Sequence, residues 1–329
     1  MRDRERPVIV LSDTFATEYA SDLAAAAPNA QIVRYRLDGT WDGDPRSGTV
    51  AFFSPDMWRT GPGLVLLDWM LEWPMLEWLQ MSSAGVEYPS LTRLLANGVT
   101  LTNVAGVNSA PIGQHVLGLM LAHARRLYRF HDFQRAQTWD RIECDELTDA
   151  VALVVGLGGI GREVARLCKA VGMRVIGIRR RSGFVPDVDD VRPATALRDT
   201  LPLADYVVLA CPLTAETRGL IDAAALSVMK PSAYLLNVAR GPVIDTSALT
   251  AALRDRRIAG AALDVFNNEP LPVESPLWSL PSLTITPHVA DRSPLSWPRT
   301  NRFFLANLFR YVRGEPLANT VSPHPERAA

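Results

Sequence analysis

Short apolar runs and segments of helical periodicity alternate along almost the whole chain. Each run suits a strand buried on both faces of a parallel sheet, and each intervening segment repeats apolar residues three and four positions apart, as an amphipathic helix does. This β-α-β alternation predicts an α/β fold built on parallel sheets.

The N-terminal third predicts a small α/β domain. Its predicted strands are 7–12, 31–36, 49–53, 76–81 and 99–102, and its predicted helices are 14–27, 64–72 and 91–97. Two loops leave strand carboxyl ends, where open α/β sheets bind ligands. One covers residues 54–58. The other contains Ser83, Ala84 and Gly85, whose amides can hold a carboxylate, although a plain turn is an equal alternative.

A long helix is predicted from Ser109 to about residue 130. Ser109 suits the N-cap, and Pro111 suits the first turn. His115, His123 and His131 recur along it without a carboxylate or cysteine at metal-ligand spacing, so we expect surface or interface histidines. The helix would bridge two domains, and its length suits a dimer contact.

Residues 150–181 contain the clearest motif in the chain. A buried strand at 150–155 runs into a G-x-G-x-x-G turn, followed by a helix that Gly172 ends and a strand at 173–178; the turn consists of Gly156, Leu157, Gly158, Gly159, Ile160 and Gly161. Such glycines permit a tight turn, close approach to a diphosphate and close helix–strand packing. An ordinary tight turn is the alternative, but the strand–turn–helix–strand setting favours a dinucleotide site.

The residue at the end of the next strand bears on the choice of dinucleotide. An Asp or Glu about 20 residues beyond the turn usually binds the adenosine ribose hydroxyls. Here that position holds Arg179, followed by Arg180 and Arg181. An arginine can pair with a 2′-phosphate, which a carboxylate would repel. A solvated basic loop is the alternative, but the position favours NADP(H), with NAD(H) still possible.

Four further strands end in polar residues. They are predicted at 206–210, 234–236, 259–263 and 283–285, and Arg240, Glu269 and His288 follow the last three. Reduction of a 2-keto acid needs a cation to hold the carboxylate and an acid to protonate the forming alkoxide. An arginine suits the first task, and a histidine beside a glutamate suits the second. Asp264 can accept a hydrogen bond from the nicotinamide carboxamide, although a structural role is equally open.

Composition excludes several classes of function. The 34 Lys and Arg residues nearly balance 35 Asp and Glu, so no basic field attracts nucleic acid or an anionic membrane. The charged N-terminus does not resemble a signal peptide, and no apolar run approaches the roughly 18 residues of a membrane span. Cys144, Cys168 and Cys211 lack a C-x-x-C spacing. We therefore expect a cytoplasmic protein without a nucleic-acid partner, membrane partner or metal.

With these motifs in place, the chain resembles the D-isomer-specific 2-hydroxyacid dehydrogenases, including glyoxylate/hydroxypyruvate reductases, over nearly its whole length. The matching segments are TNVAGVNSAPIGQHVLGLML, VVGLGGIGREVARL, CPLTAETRGLID, LLNVARGPVID, ALDVFNNEP and TPHVA. The resemblance implies a Rossmann domain at 104–296 inserted into a flavodoxin-like substrate domain formed by 1–103 and 297–329. It also implies a homodimer.

Site roles follow from the same resemblance. Arg240 would bind substrate, Glu269 would orient the catalytic histidine, and His288 would be the acid/base. Ser83, Ala84 and Gly85 would bind the substrate carboxylate together with Arg240 and His288. The matched segments place further cofactor contacts on Cys211, Pro212, Thr217, Val238, Ala239 and Asp264.

Two departures from the family pattern affect substrate choice more than reaction class. Asp291 stands where a glycine is common, and Gln114 replaces a common glutamate before His115. The expected activity is NADPH-dependent reduction of a short 2-keto acid to the D-2-hydroxy acid. The alternatives are a formate or phosphite dehydrogenase, although the formate enzymes carry Gln at the position of Glu269, and an NAD(H)-sensing corepressor-like protein.

Overall fold

The computed structural model describes residues 4–58, 63–181 and 183–322 and contains two parallel sheets. The strands are β1 (Val8–Ser12), β2 (Gln31–Tyr35), β3 (Val50–Phe53), β4 (Trp78–Met81), β5 (Thr100–Thr102), β6 (Val151–Val155), β7 (Arg174–Arg179), β8 (Asp190–Pro193), β9 (Tyr206–Leu209), β10 (Tyr234–Asn237), β11 (Gly260–Leu263) and β12 (Leu283–Ile285).

Helices connect most of these strands. They are α1 (Asp13–Glu18), α2 (Ala20–Ala26), α3 (Val65–Met70), α4 (Pro89–Ala96), α5 (Ser109–Ala124), α6 (Leu127–Arg135), α7 (Gly159–Ala170), α8 (Leu197–Thr200), α9 (Ala223–Val228), α10 (Thr246–Arg254) and α11 (Ser296–Val312). None in the described ranges is long and apolar enough to cross a membrane.

The chain divides into two compact units. Unit 1 comprises Met1–Asn108 and Ser293–Ala329, and unit 2 comprises Ser109–Arg292. These units divide the chain after residue 108 and before residue 293, while the domain boundaries after residues 103 and 296 stay a prediction.

The sheet of unit 1 has the strand order β2-β1-β3-β4-β5. All its strand pairs are parallel, and this order is the flavodoxin-like one. Alternate side chains enter two separate cores: Ala51 and Phe53 face one, while Val50 and Phe52 face the other. Helix α11 covers the second core, where the Phe304 ring stacks on the Phe52 ring with centroids 4.2 Å apart.

The sheet of unit 2 has the order β12-β11-β10-β9-β6-β7-β8. Counted from β6, this is the Rossmann order with one additional strand, and all its pairs are parallel. Leu153 and Val155 face one core, whereas Ala152 and Val154 face the other, so β6 is buried on both sides. The predicted fold class is confirmed.

A buried polar network fixes α11 to the sheet of unit 1. The Trp78 indole donates to Thr102 Oγ1 at 2.7 Å, and that hydroxyl donates to Gln80 Oε1 at 2.7 Å. Asn307 Nδ2 donates to the same Gln80 oxygen at 3.1 Å and to Ala318 O at 3.1 Å, and Asn307 Oδ1 accepts from Ala318 N at 2.9 Å. The network therefore satisfies groups that burial would otherwise leave unpaired.

Two predicted helices are each divided in the structure. The segment predicted as one helix at 14–27 breaks at Tyr19, whose ψ of 25° leaves the helical range, and forms α1 and α2. The segment predicted as one helix from Ser109 to about residue 130 breaks at Arg126, which has a φ of 51°. Neither break shows in an apolar pattern, because each depends on backbone geometry rather than side-chain polarity.

Other elements differ in extent from the prediction. Strand β8 was missed because its residues are polar and it lies at the sheet edge. The apolar pattern at the C-terminal end predicts a helix at 301–311, and in the structure this helix, α11, begins earlier, at Ser296, since Pro298 is tolerated in a first turn. The sequence also predicts a frayed tail at 322–329, and apart from Ser322 this tail lies outside the described residues.

We predict that Asn307→Ala lowers the free energy of unfolding by about 2–3 kcal/mol, because it removes hydrogen bonds from buried groups. Chemical denaturation followed by circular dichroism measures this. The matched control is Asn97→Ala at an exposed helix end, which should change the value by less than about 0.5 kcal/mol. Equal stability of the two variants would contradict the role of the network.

Candidate active site

The G-x-G-x-x-G turn connects β6 to α7, and two of its glycines are required by backbone packing. Gly156 has a φ of 98°, and a Cβ there would lie 2.7 Å from the Cys211 backbone. A Cβ on Gly161 would lie 1.8 Å from the Gly156 carbonyl oxygen. The neighbouring backbone, which is the loop after β9 for Gly156 and the start of the turn itself for Gly161, therefore tolerates no side chain at either position.

Gly158 differs, because the space beside it is open. It is the N-cap of α7, and a Cβ there would meet no atom within 4 Å. Gly159, Ile160 and Gly161 form the first turn of this helix, whose amide groups have no intrahelical partner and attract anions. This open space in front of a helix N-terminus fits the diphosphate of a dinucleotide.

Three arginines follow at the end of β7. Arg179 is half-buried as the last residue of the strand, and Arg180 and Arg181 are exposed. The pKa of the Glu216 carboxyl is lowered, chiefly by its hydrogen bond from Thr214 and to a smaller extent by the charge of Arg180. This end of the predicted dinucleotide site thus carries a concentration of positive charge.

The loop after β9 contains Cys211, Pro212 and Thr217. The Thr217 hydroxyl donates to Pro212 O at 2.7 Å and accepts from Thr214 N at 2.7 Å, so it holds the loop together. Burial raises the pKa of the Cys211 thiol to about 11. Cys211 therefore stays protonated near neutral pH and contributes packing and backbone groups rather than thiolate chemistry.

Asn237, at the end of β10, shapes the turn that carries Arg240. Its Oδ1 accepts from Ala239 N at 3.0 Å, and its Nδ2 donates to Arg240 O at 3.0 Å. Val238 and Ala239 are buried, while Arg240 is partly exposed and its guanidinium donates to Ala239 O at 2.7 Å. The prediction missed Asn237, although a polar residue ending an apolar strand was a usable signal.

Glu269 and His288 are in direct contact. Glu269 Oε2 lies 2.6 Å from His288 Nδ1, and Glu269 Oε1 accepts from Phe266 N at 2.9 Å. The backbone amide fixes the carboxylate, and the carboxylate fixes the imidazole, so Nε2 is the ring nitrogen left for a substrate. The His288 side chain is 50% exposed, which leaves it accessible.

The loop that carries His288 (residues 286–290, the His288 loop) depends on Asp264. Asp264 is buried, and its carboxylate accepts from Val289 N and Ala290 N, each at 3.0 Å. The Asp264 carbonyl accepts from His288 N at 2.8 Å. Of the two roles left open for Asp264, the structure therefore shows the structural one, and a contact with a carboxamide remains a prediction.

The parallel strand order brings the candidate catalytic residues to one edge of the sheet. Arg240, Glu269 and His288 follow β10, β11 and β12, which are neighbours in one sheet. Since parallel strands end at the same edge, all three segments leave the carboxyl edge of unit 2. An arginine, an oriented imidazole and an open helix N-terminus at one edge suit reduction of a carbonyl by a dinucleotide.

Comparison with known proteins agrees with this geometry. Residues 117–290 match the family model of the D-isomer specific 2-hydroxyacid dehydrogenase NAD binding domain. A glyoxylate reductase of Thermofilum pendens is 34% identical over 253 residues, which is 74% of this chain and 74% of the relative.

The chain belongs to the D-isomer-specific 2-hydroxyacid dehydrogenase family.

Solved structures of this family resemble the chain over almost its full length. A dehydrogenase from Xanthobacter autotrophicus Py2, in complex with NADPH and MES, is 32% identical with a TM-score of 0.78, over 96% of this chain and 98% of that one. An NADPH-dependent glyoxylate/hydroxypyruvate reductase from Sinorhizobium meliloti, with NADP and sulfate, is 26% identical with a TM-score of 0.77, over 97% and 98%. The protein is thus an NAD(P)-dependent 2-hydroxyacid dehydrogenase.

The predicted substrate loop of the dehydrogenase lies in unit 1. The Ser83 hydroxyl donates to Gly85 O at 2.8 Å, and Asn103 Nδ2 donates to Ala84 O at 2.8 Å. The Trp58 indole donates to Ser82 Oγ at 2.9 Å. These bonds give the loop a defined shape, and its binding of a carboxylate stays a prediction.

Two of the three histidines predicted to lie at a surface or an interface are partly buried in the dehydrogenase. His115 lies within 3.1 Å of Thr286 Oγ1, and the His123 ring stacks on Tyr234 with centroids 3.9 Å apart. Burial lowers the pKa of His123. His131 is exposed on α6, and the described residues contain no cluster of three or more His, Cys, Asp or Glu side chains able to hold a metal.

The glycines of the turn provide a matched test of cofactor binding. We predict that Gly158→Ala keeps the stability of the dehydrogenase within about 1 kcal/mol but weakens NADPH binding about tenfold or more, because its methyl group enters the diphosphate space. Gly161→Ala should instead lose about 3 kcal/mol of stability or more through its backbone clash. Melting temperature and NADPH fluorescence titration measure the two effects.

The control for these variants is Gly118→Ala on α5, where an added Cβ also meets no atom within 4 Å. It should leave both stability and NADPH affinity near the wild-type values. Wild-type NADPH affinity in Gly158→Ala would contradict the assigned diphosphate position.

Proposed function

We propose that the protein is an NADPH-dependent reductase of short 2-keto acids of the glyoxylate and hydroxypyruvate class, yielding the D-2-hydroxy acid. The observation that carries the proposal is the 2.6 Å contact between Glu269 and His288, on the same sheet edge as Arg240. The names of the glyoxylate reductase relatives support this substrate class.

Each residue has a distinct task in the proposed reaction. Arg240 pairs with the substrate carboxylate and polarises the keto oxygen through its fixed donors. His288 gives a proton from Nε2 to that oxygen as negative charge develops there. Glu269 holds the imidazole by Nδ1 throughout. NADPH, when bound, would supply the hydride for the keto carbon.

We predict that His288→Ala lowers kcat by about 10²–10⁴-fold with little change in NADPH affinity, because it removes only the proton donor. Arg240→Ala should raise the KM for the keto acid and also lower kcat. Steady-state kinetics and NADPH fluorescence titration give these values. Glu274→Gln, an exposed glutamate close along the chain, is the control and should behave as wild type. Loss of NADPH binding in both site variants would contradict the assigned roles.

The preference for NADPH rests on the arginines after β7. We propose that Arg179 and Arg180 pair with the 2′-phosphate, because the position that usually binds ribose hydroxyls here carries positive charge.

Arg179→Ala should therefore raise the KM for NADPH about tenfold and leave the KM for NADH nearly unchanged, since it removes a charge-assisted pair worth about 1.5–3 kcal/mol. Arg174→Ala, at the opposite end of the same strand, is the matched control and should alter neither KM. A proportional rise in both KM values for Arg179→Ala would exclude a 2′-phosphate contact.

A homodimer is the proposed assembly. Leu127 and Tyr128 on α6 are 52% and 48% exposed, and the nearby Trp139 is 93% exposed. Apolar side chains concentrated on one surface segment are typical of an interface. A second copy of this chain is the partner we propose for them.

Size-exclusion chromatography with light scattering should therefore give about twice the chain mass of 36.1 kDa. Trp139→Glu should shift the mass towards that of one chain, because a buried charge would oppose association. Phe184→Glu, at another site with 88% exposure, is the control and should remain dimeric. A monomeric wild-type protein would contradict the proposed assembly.

A further inference from the structure

Three polar side chains of unit 2 are joined in series by hydrogen bonds next to the His288 loop. The proposed mechanism does not use this series. Asp264 Oδ1 lies 2.6 Å from Thr286 Oγ1, and Thr286 Oγ1 lies 3.1 Å from His115 Nε2. The Asp264 side chain is 2% exposed, and the His115 side chain is 21% exposed. These hydrogen bonds connect helix α5, through Thr286 after β12, to Asp264 after β11.

The direction of each hydrogen bond follows from the groups involved. An ionised carboxylate only accepts, so the Thr286 hydroxyl donates its one hydrogen to Asp264. The same oxygen can then only accept from the imidazole, and His115 Nε2 must carry a hydrogen. The order of donation is therefore His115 to Thr286 to Asp264.

Asp264 in turn determines the backbone around His288. The φ of His288 is 52°, a left-handed conformation that a residue with a side chain keeps only where its surroundings impose it. The amides of residues 288–290 all donate to Asp264, the first to its carbonyl and the other two to its carboxylate. Any displacement of Asp264 thus moves the imidazole as well.

Helix α5 presents His115 from a fixed position. A Cβ on Gly113 would lie 2.7 Å from Glu163 Cγ, so α5 packs closely on α7, the helix that follows the dinucleotide turn. Val116 and Met120 on α5 are fully buried. The donor on His115 is therefore held rigidly relative to the sheet.

We propose that His115 is a positioning residue: its Nε2–H group, through Thr286 and Asp264, holds the backbone of His288 in the geometry for proton transfer. This inference rests on the proposed role of His288. The competing view is that the His115 ring only fills space between α5 and β12.

Two substitutions distinguish the effect of the His115 Nε2–H donor from the effect of the volume of the His115 ring. His115→Phe keeps a flat ring without a donor, and His115→Gln keeps an N–H donor at similar reach. His115→Phe should lower kcat about tenfold and leave the KM for NADPH unchanged, as expected for the loss of one partly buried hydrogen bond that aligns the acid. His115→Gln should stay within about threefold of wild type.

Thr286 gives a second matched pair that leaves α5 intact. Thr286→Val is nearly isosteric but removes the hydroxyl, and Thr286→Ser keeps it. Hydrogen–deuterium exchange of the peptide that spans residues 286–290 is the readout independent of turnover. Exchange should be about tenfold faster in His115→Phe and Thr286→Val, and near wild type in His115→Gln and Thr286→Ser.

The outcomes are distinct. Wild-type kcat and wild-type exchange in His115→Phe would overturn the proposal in favour of space filling. Equal impairment of His115→Phe and His115→Gln would also overturn it, because the donor would then be irrelevant. If the wild-type protein reduces no keto acid, the proposed function fails, and the exchange comparison still decides whether His115 holds the His288 loop.

Discussion

The hydrogen bond between Glu269 and His288 determines what the carboxyl edge of the second sheet can do. Without it the half-exposed imidazole would rotate freely, and either ring nitrogen could face a substrate. The Glu269 carboxylate holds His288 Nδ1 in a fixed position because its other oxygen accepts a hydrogen bond from the Phe266 amide. Rigid hydrogen bonds of this kind reduce the reorganisation that proton transfer would otherwise require.

Parallel strand topology makes this interaction possible. Residues that are far apart in the chain follow neighbouring strands and so lie at one edge, and α7 begins beyond the carboxyl end of β6, another strand of the same sheet. The buried Asp264 then fixes the position of His288 relative to the strands, because it accepts hydrogen bonds from three consecutive backbone amides, those of residues 288–290. The flavodoxin-like unit uses a different buried network, around Gln80 and Asn307, to fix its last helix.

The sequence predicted the features that local spacing determines. Strands β6 and β7 and the glycine turn between them follow from apolar runs and glycine positions, and Arg240, Glu269 and His288 were found because each follows a predicted strand. Helices α9 and α10 went unpredicted, although Asp222 and Asp245 are ordinary N-caps for them.

Other features were beyond local reasoning. The break at Arg126 depends on a left-handed backbone conformation. The contact of His115 with Thr286 joins residues 171 positions apart, so no spacing rule could reveal it. Asp264 was noted as a polar residue directly after a strand, with a cofactor contact and a structural role both open, and its hydrogen-bond partners became visible only in three dimensions.

The most direct test of the central claim is the rate of NADPH and NADH oxidation by the purified protein with glyoxylate, hydroxypyruvate, pyruvate and phenylpyruvate in turn. We expect NADPH to be oxidised well ahead of NADH, with a short keto acid preferred over phenylpyruvate. Absence of oxidation with every acid, while NADPH binding remains detectable by fluorescence, would contradict the assignment as a 2-keto acid reductase.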